Sequence, residues 1–308
     1  MDEELYEKVA GGLEEKGMEV VDEVKDDRSI IFKAVMRLFS KPLRPVNLLK
    51  VREDGETNTV IAVEKGSAKE EYKKLKEIRE SVGRNCSLKI PEPYLLLEDE
   101  DIVVMEYFDR SVPEMLVLHN FFSGPSEEEL FQAFRKLGQD LADLHNSTRT
   151  GEKIDIEKRI EQRILSSKEI WPAKLVKYAE SMETGDITIP EAYVSKDIKL
   201  RHLKWDEDEI AIIDLAGFRH GNPLYSVFSF EHIMSNRESP FLRLDMKRLS
   251  KIFVNSYLES SNLNLDEYGA NITRLDVLTE RMKSKERRLE DKAYRNRVKK
   301  ILNKLESS

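Results

Sequence analysis

The sequence predicts an α+β protein built from a strand-rich N-terminal third and a mostly helical remainder. Short apolar runs separated by turn residues occupy much of residues 18–107, and apolar residues at helical spacing prevail after residue 109. The 308 residues are enough for two hydrophobic cores. We therefore expect two lobes, an N-terminal lobe over residues 1–109 and a C-terminal lobe over residues 110–308.

The N-terminal lobe is predicted to be a sheet with one main helix. A short helix over residues 2–16 precedes it, and the turn signal Asp54-Gly55 joins two of its strands. Ser67 and Glu70 have the spacing of a capping box at the start of the main helix, and Glu71 lies on the inward stripe of that helix. The predicted strands are Met18–Val24, Ile30–Phe39, Val46–Arg52, Thr59–Glu64, Tyr94–Leu97 and Ile102–Tyr107.

The C-terminal lobe is predicted to be helical apart from short strands around two aspartates. Long amphipathic spacing predicts a helix over Leu130–His145, with further helices over Ile154–Glu169 and Pro172–Ser181. Asp197 follows the apolar run 192–194, and Asp214 follows the run 210–213. The second run has a predicted hairpin partner at about residues 202–205.

Two carboxylates at the ends of short strands are suited to phosphoryl-transfer chemistry if they face one cleft. One carboxylate accepts a proton from a hydroxyl nucleophile, and the other holds a divalent cation that neutralises phosphate charge. Charged residues seldom follow such apolar runs without a partner. This pattern makes Asp197 and Asp214 the leading candidate site residues.

The segments around both aspartates resemble motifs of the protein-kinase-like phosphotransferases, in the aminoglycoside and choline kinase branch. That branch carries H-G-D-x-x-x-x-N before an apolar strand that ends in I-D. The matching segments are Ser195-Lys196-Asp197 with His202, Ile212-Ile213-Asp214, Gly221-Asn222-Pro223, the helix end 137–145 and the strand 103–108. Their order is that of the family, so the resemblance implies a two-lobed protein kinase-like fold.

The resemblance also implies roles for individual residues. Asp197 would orient and deprotonate the acceptor hydroxyl, and Asp214 would bind Mg²⁺ that bridges the ATP phosphates. His202 stands where the family has a second metal ligand, Asn. Since Mg²⁺ prefers oxygen, His202 either ligates the metal or only hydrogen-bonds the loop. The lipopolysaccharide-core heptose kinases resemble this chain in having His at that place.

The resemblance implies a lysine and a carboxylate that anchor the ATP phosphates. Lys65, which follows the strand before the main helix, and Lys50, on the preceding strand, are alternative anchors, and Lys65 fits the usual strand order better. Glu71 is the best carboxylate for either lysine. The adenine edge would meet the backbone of Glu106, Tyr107 and Phe108. About fifty residues between the Leu-His helix end and Asp197 are typical of the small-molecule branch, so a small-molecule hydroxyl acceptor is expected.

Several residues depart from the family pattern and leave a second interpretation open. Ser195 replaces the usual His, Lys196 replaces Gly or Arg, and Asn222 replaces the first Asp of G-D-P. The alternative is therefore a pseudokinase, the same fold used as a nucleotide-sensing or protein-binding module.

Composition excludes some classes of protein. The net charge is −8, which argues against general nucleic-acid binding by the whole chain. No apolar run approaches the ~20 residues of a membrane helix, and Cys86 is the only cysteine, so we expect a cytoplasmic protein without a disulfide. Residues 280–304 hold eleven Lys/Arg and four Asp/Glu, which predicts a solvated basic helix or a contact with an anionic partner.

Overall fold

The computed structural model describes most of the chain, and its contacts divide the chain into two compact units. The described residues are 3–24, 47–64, 66–82, 86–108, 112, 115–116, 119, 125–183, 185–195, 198, 200–206, 209–215, 217–235, 245–284 and 291–306. The first unit comprises residues 1–133 and 199–218, and the second comprises residues 134–198 and 219–308. The predicted strand Ile30–Phe39 lies outside the described residues.

The first unit is built on a five-stranded antiparallel sheet. Its strands are β1 (Glu19–Val24), β2 (Asn47–Glu53), β3 (Glu56–Glu64), β4 (Pro93–Leu97) and β5 (Ile102–Glu106), in the order β1-β2-β3-β5-β4. Asp54 (φ 50°) and Gly55 (φ 87°) form the predicted β2–β3 turn, where both central residues need the left-handed conformation. The predicted strands over these residues are confirmed.

Two helices belong to this sheet. Helix α1 (Glu3–Glu14) buries Val9 and Leu13 in one core cluster with Leu49, Val51, Val60 and Val104 of the sheet. Helix α2 (Ala68–Val82) buries Glu71, Leu75, Ile78 and Val82 along one stripe. The backbone N–H of Ala68 donates to Asp101 Oδ1 at 2.8 Å, so the β4–β5 turn caps α2 in place of the predicted Ser67–Glu70 capping box.

A two-stranded hairpin completes the described part of the first unit. Strands β9 (Leu203–Asp206) and β10 (Glu209–Ile212) pair antiparallel, as the sequence predicts, after a short 3₁₀ helix over Leu200–His202. The segment before β4 joins the hairpin, because Lys89 N donates to Ile210 O (2.8 Å) and Ile212 N donates to Lys89 O (3.1 Å).

The second unit is mainly helical. Its helices are α3 (Glu127–Ser147, which starts in the first unit), α4 (Ile156–Leu165), α5 (Ala173–Glu180), α6 (Pro223–Ser235), α7 (Met246–Ser260), α8 (Glu267–Lys283) and α9 (Lys292–Leu305). Short strands pair as β6 (Lys153–Asp155) with β7 (Thr188–Pro190) and β8 (Ala192–Ser195) with β11 (Phe218–Gly221). The predicted helix 154–169 is shorter in the structure, because β6 takes its first residues.

Aromatic packing and a close helix crossing organise the core of the second unit. Phe230 lies 6.4 Å from Phe134 and 4.9 Å from Phe253, measured between ring centroids. A Cβ added to Gly138 of α3 would lie 2.9 Å from the backbone nitrogen of Tyr257 in α7. Only glycine allows this approach of the two helices.

The described helices do not include one that is long and apolar enough to cross a membrane. Helix α9, in the basic C-terminal segment, buries Tyr294, Val298, Ile301, Leu302 and Leu305 against the second unit. Its Arg297 and Lys304 pair with Glu231 (3.2 Å) and Glu267 (3.1 Å). This helix is amphipathic, and its contact with an anionic partner stays a prediction.

Candidate active site

The end of strand β10 presents Asp214 in an uncommon backbone conformation. The backbone N–H of Ile213 donates to His202 O at 2.8 Å, which extends the hairpin by one residue. The next residue, Asp214, has φ 68°. Non-glycine residues rarely adopt positive φ, and such conformations concentrate at functional sites. The backbone therefore turns sharply where the sequence places a candidate metal ligand.

His202 and Asp214 lie together within the first unit. His202 Nε2 is 3.2 Å from Asp214 Oδ2, with side-chain exposures of 10% and 43%. The 3₁₀ helix that precedes β9 brings His202 to the end of β10. One carboxylate oxygen of Asp214 thus faces an imidazole, while the side chain keeps substantial access to solvent.

Glu71 lies against the residue that follows Asp214. Its side chain is fully buried, and its Oε1 accepts the backbone N–H of Leu215 at 2.8 Å. Glu71 reaches this position because it shares the inward stripe of α2 with Leu75 and Ile78. A buried carboxylate with such a partner fixes the backbone beside Asp214. The structure therefore groups three predicted site residues, His202, Asp214 and Glu71.

The predicted adenine-binding segment follows β5. The backbone N–H of Glu106 donates to Glu92 O (2.9 Å), and that of Tyr107 donates to Thr59 O (3.2 Å). The backbone N–H of Phe108 donates to none of the residues that the structure describes. Burial raises the pKa of the Glu106 carboxyl group above its usual range. Tyr107 also meets the hairpin, since Lys204 Nζ lies 5.6 Å from its ring centroid.

Lys50 lies on β2, opposite Thr59 in the β2–β3 register. Its neighbours Leu49 and Val51 point into the core beneath α1, so Lys50 points to the other face of the sheet. Its side chain is exposed. Its role as a phosphate anchor stays a prediction.

In the second unit, Ser226 supports the segment that leads into the Asp197 loop. Its Oγ donates to Ser195 O at 2.8 Å, and Ser226 is fully buried. Asn222 is also buried, and its Oδ1 accepts the backbone N–H of Leu224 at 3.0 Å. Both residues therefore have structural partners at positions where the sequence departs from the family pattern.

Comparison with solved structures found proteins with the same arrangement of elements. A macrolide 2′-phosphotransferase, MphH, from Brachybacterium faecium is 10% identical over 96% of this chain and 98% of that chain, with a TM-score of 0.51. A thermostable mutant of aminoglycoside phosphotransferase APH(4)-Ia, in a ternary complex with AMP-PNP and hygromycin B, is 13% identical over 96% and 98%, with a TM-score of 0.50. The chain has the protein-kinase-like phosphotransferase fold. No model of a protein family and no curated protein matches the sequence.

Two predicted residues of this kinase-like fold, Asp197 and Lys65, lie outside the described residues. Their roles as base and phosphate anchor stay predictions. Within the described parts of the chain, no group of three or more His, Cys, Asp or Glu side chains could hold a metal ion.

The donor atoms at the end of β10 fit Mg²⁺ better than a softer ion. Mg²⁺ in phosphotransferases is held by one or two carboxylates together with phosphate oxygens and water. The Asp214 carboxylate, 43% exposed, is an oxygen donor of this kind, and its role as a metal ligand stays a prediction. His202 Nε2 contacts that carboxylate at 3.2 Å, and the choice between ligation of a metal and support of the loop stays open for this residue.

Sequence reasoning missed the backbone N–H of Leu215 as the partner of Glu71 and the support of Ser195 by Ser226. The first contact joins residues 144 positions apart and has no local pattern. The second joins residues 31 positions apart and likewise has no local pattern.

Proposed function

We propose that this chain is an ATP- and Mg²⁺-dependent phosphotransferase that moves the γ-phosphoryl group of ATP to a hydroxyl of a small molecule. The observation that carries the proposal is the end of β10. There Asp214 takes φ 68°, faces His202 at 3.2 Å and precedes a backbone N–H bound by buried Glu71. A solvent-accessible carboxylate on a backbone held from both sides is preorganised to bind a metal–nucleotide complex.

The proposed reaction is an in-line displacement at the γ-phosphorus. The hydroxyl oxygen of the acceptor forms the new P–O bond as the bond to the ADP oxygen breaks, and Asp197 takes the hydroxyl proton. Asp214 would hold Mg²⁺, which neutralises phosphate charge. His202 would keep the Asp214 carboxylate oriented, and Lys65 or Lys50 would bind phosphate oxygens.

Nucleotide binding is supported by the fold and by the segment after β5. One solved structure of this fold contains AMP-PNP. The Phe108 N–H, which has no acceptor among the described residues, is suited to bond the edge of adenine. A cytoplasmic location, where ATP is abundant, fits the same proposal.

A thermal-shift experiment tests the role of Asp214. We expect ATP to raise the melting temperature of the wild type only when Mg²⁺ is present, and Asp214→Asn to remove this dependence. Asp54→Asn is the matched control, since Asp54 is an exposed aspartate with φ 50° in the first unit. Stabilisation by Mg²⁺–ATP that survives in Asp214→Asn would contradict the metal assignment.

A turnover experiment tests the role of Asp197. Asp197→Ala is expected to bind ATP nearly as well as the wild type but to lose at least about 100-fold in ADP release stimulated by an acceptor. The measurement pairs nucleotide titration with coupled detection of ADP, over a panel of hydroxylated metabolites. Normal turnover in the variant would show that another group accepts the proton.

The second candidate function is a pseudokinase that binds nucleotide or protein without catalysis. Ser195 and Asn222 favour it, because both replace usual motif residues and both are buried. Stabilisation by ATP without Mg²⁺, together with no ADP release from the whole panel, would favour this module over the enzyme. The basic segment 280–304 would then be the first surface to test for an anionic partner.

A further inference from the structure

A cavity of about 250 Å³ lies within the second unit, between α4, α6, α8 and the β8–β11 sheet. Its lining residues are Arg159, Glu191, Val194, Arg219, His220, Gly221, Asn222, Tyr225 and Glu280. Val194 belongs to β8, which continues along the chain into the loop that carries Asp197. Gly221 and Asn222 belong to the predicted Gly-Asn-Pro motif. The walls thus come from segments that adjoin the predicted catalytic loop in the sequence.

One side of the cavity has charges that are already paired. Arg159 Nη2 lies 2.7 Å from Glu280 Oε2. Behind this pair, Arg163 Nη1 lies 2.7 Å from Oδ1 of Asp276, which is fully buried. These four side chains neutralise one another, so they form a rigid wall and leave no net charge for a ligand.

Two other charged side chains line the cavity, and they differ from the first four in their partners. Within the described parts of the chain, neither the Arg219 guanidinium nor the Glu191 carboxylate makes an ion pair or a side-chain hydrogen bond. The His220 ring, which lines the cavity, packs on Tyr193, with centroids 4.2 Å apart and planes at 31°, and so supplies an aromatic surface. The cavity therefore offers one unpaired cation, one unpaired anion and an aromatic wall.

The size of the cavity restricts its ligand. Pockets for drug-sized ligands measure roughly 300–1,000 Å³, so about 250 Å³ suits a compound of the size of an amino acid. A polycationic ligand would meet only one unpaired carboxylate and would be repelled by Arg219. A ligand with one acidic and one basic group satisfies both unpaired side chains.

On the basis of the proposed phosphotransferase function, we propose that this cavity binds the acceptor and that the acceptor is a small zwitterion. It carries a hydroxyl group, a carboxylate and an ammonium group, as a hydroxylated amino acid does. Arg219 binds the carboxylate through its planar donors, and Glu191 binds the ammonium group. The hydroxyl group is left for phosphorylation.

Calorimetric titration of the nucleotide-free full chain tests this directly. The probes are L-serine and L-homoserine, together with ethanolamine and 3-hydroxypropionate, which are L-serine without its carboxylate and without its amine. We expect at least one of the amino acids to bind at least about tenfold more tightly than either single-charge compound. Equal or tighter binding of ethanolamine or 3-hydroxypropionate, or no binding of either amino acid, would overturn the inference.

Three variants assign the two charges. Arg219→Ala is expected to bind the amino acid about tenfold or more weakly than the wild type and to bind ethanolamine equally well. Glu191→Gln is expected to bind 3-hydroxypropionate as well as the wild type does. Arg135→Ala is the matched control, an exposed arginine of α3 that does not line the cavity. Loss of amino-acid binding in the control alone, or in none of the variants, would also overturn the assignment.

The test separates this inference from the proposed function. Binding of a zwitterion in the absence of nucleotide supports the cavity assignment whether or not ATP is consumed. If another hydroxyl compound stimulates ADP release while neither amino acid binds, the inference is wrong and the phosphotransferase function stands.

Discussion

Charged residues are arranged in opposite ways at the end of β10 and in the cavity of the second unit. Around β10, Glu71 binds the Leu215 N–H and His202 faces Asp214. In the cavity, Arg219 and Glu191 have no side-chain partner within the described chain. The comparison teaches that the first site is held in shape by contacts within the fold, whereas the second presents charges that a ligand could pair. Substitutions at the end of β10 should therefore lower the free energy of unfolding, whereas substitutions of the unpaired cavity residues should not.

The largest expected loss of stability follows substitution of Asp276, which lies behind the wall of the cavity in the second unit. Asp276→Ala is expected to lower the free energy of unfolding by about 3–5 kcal/mol, because it leaves the largely buried Arg163 without its closest acceptor. Urea unfolding of the full chain measures this. Glu180→Ala breaks an exposed pair with Lys168 and should cost less than about 1 kcal/mol. A similar loss of unfolding free energy in both variants would show that the buried ion pair of Arg163 and Asp276 does not stabilise this wall of the cavity.

The next effect concerns the contact that fixes the backbone beside Asp214. Glu71→Ala is expected to cost about 1–3 kcal/mol, because the buried Leu215 N–H loses its acceptor. Glu71→Gln should cost less, since an amide oxygen still accepts this bond. Glu70→Ala, at an exposed neighbouring position of α2, serves as the control in the same urea unfolding experiment. If Glu71→Ala unfolds like the control, the end of β10 does not depend on α2.

A smaller change in the free energy of unfolding is expected with pH, because of the buried residue His145. Burial, with a smaller contribution from Arg149, lowers the pKa of His145 from its usual 6.5 to about 3, and its Nδ1 lies 2.9 Å from the Tyr257 hydroxyl. The unfolded chain therefore binds the proton first, so stability is full above pH 6.5 and falls as the pH drops from 6.5 towards 3. Between pH 7 and 5.5 the loss is about 1 kcal/mol.

The non-titrating variant His145→Gln isolates this contribution. Unfolding free energies of wild type and variant at pH 7 and 5.5 should show that the variant lacks about 1 kcal/mol of the pH dependence. Identical pH dependence in both proteins would contradict the lowered pKa of His145.

The smallest effect is expected where the fold leaves a charge unpaired. Arg219→Ala should change the free energy of unfolding by less than about 0.5 kcal/mol, because the exposed guanidinium has no ion-pair partner among the residues that the structure describes. Differential scanning calorimetry without ligand measures this. A loss comparable to that of Glu71→Ala would remove the distinction between the two regions.

Local chemistry explains which parts of the fold the sequence predicted. Asp54-Gly55 predicted its hairpin because both residues tolerate positive φ, and periodic Leu and Phe residues predicted α3. The cap of α2 could not be predicted in this way, because the acceptor for the Ala68 N–H is the carboxylate of Asp101, which is 33 residues away in the sequence.

In the candidate site, too, the sequence predicted residues that carry a local pattern but not those defined by distant contacts. A family-like pattern marked Asp214, Glu71 and His202, and the structure brings these three together. It did not mark Arg219 or Glu191, because nothing in the sequence distinguishes these two charged residues from the solvated ones in a chain that is 36% charged. Only its position in the wall of a cavity distinguishes a charged residue that could bind a ligand from one that is merely solvated.

The crossing at Gly138 has a consequence for how the helical unit tolerates change. A methyl group there would press on the backbone of α7, so at this point no side chain can move aside to make room. A larger residue at position 138 would therefore have to push the two helix backbones apart. Redesign of the helical unit should keep glycine at this position and make its changes elsewhere in the core.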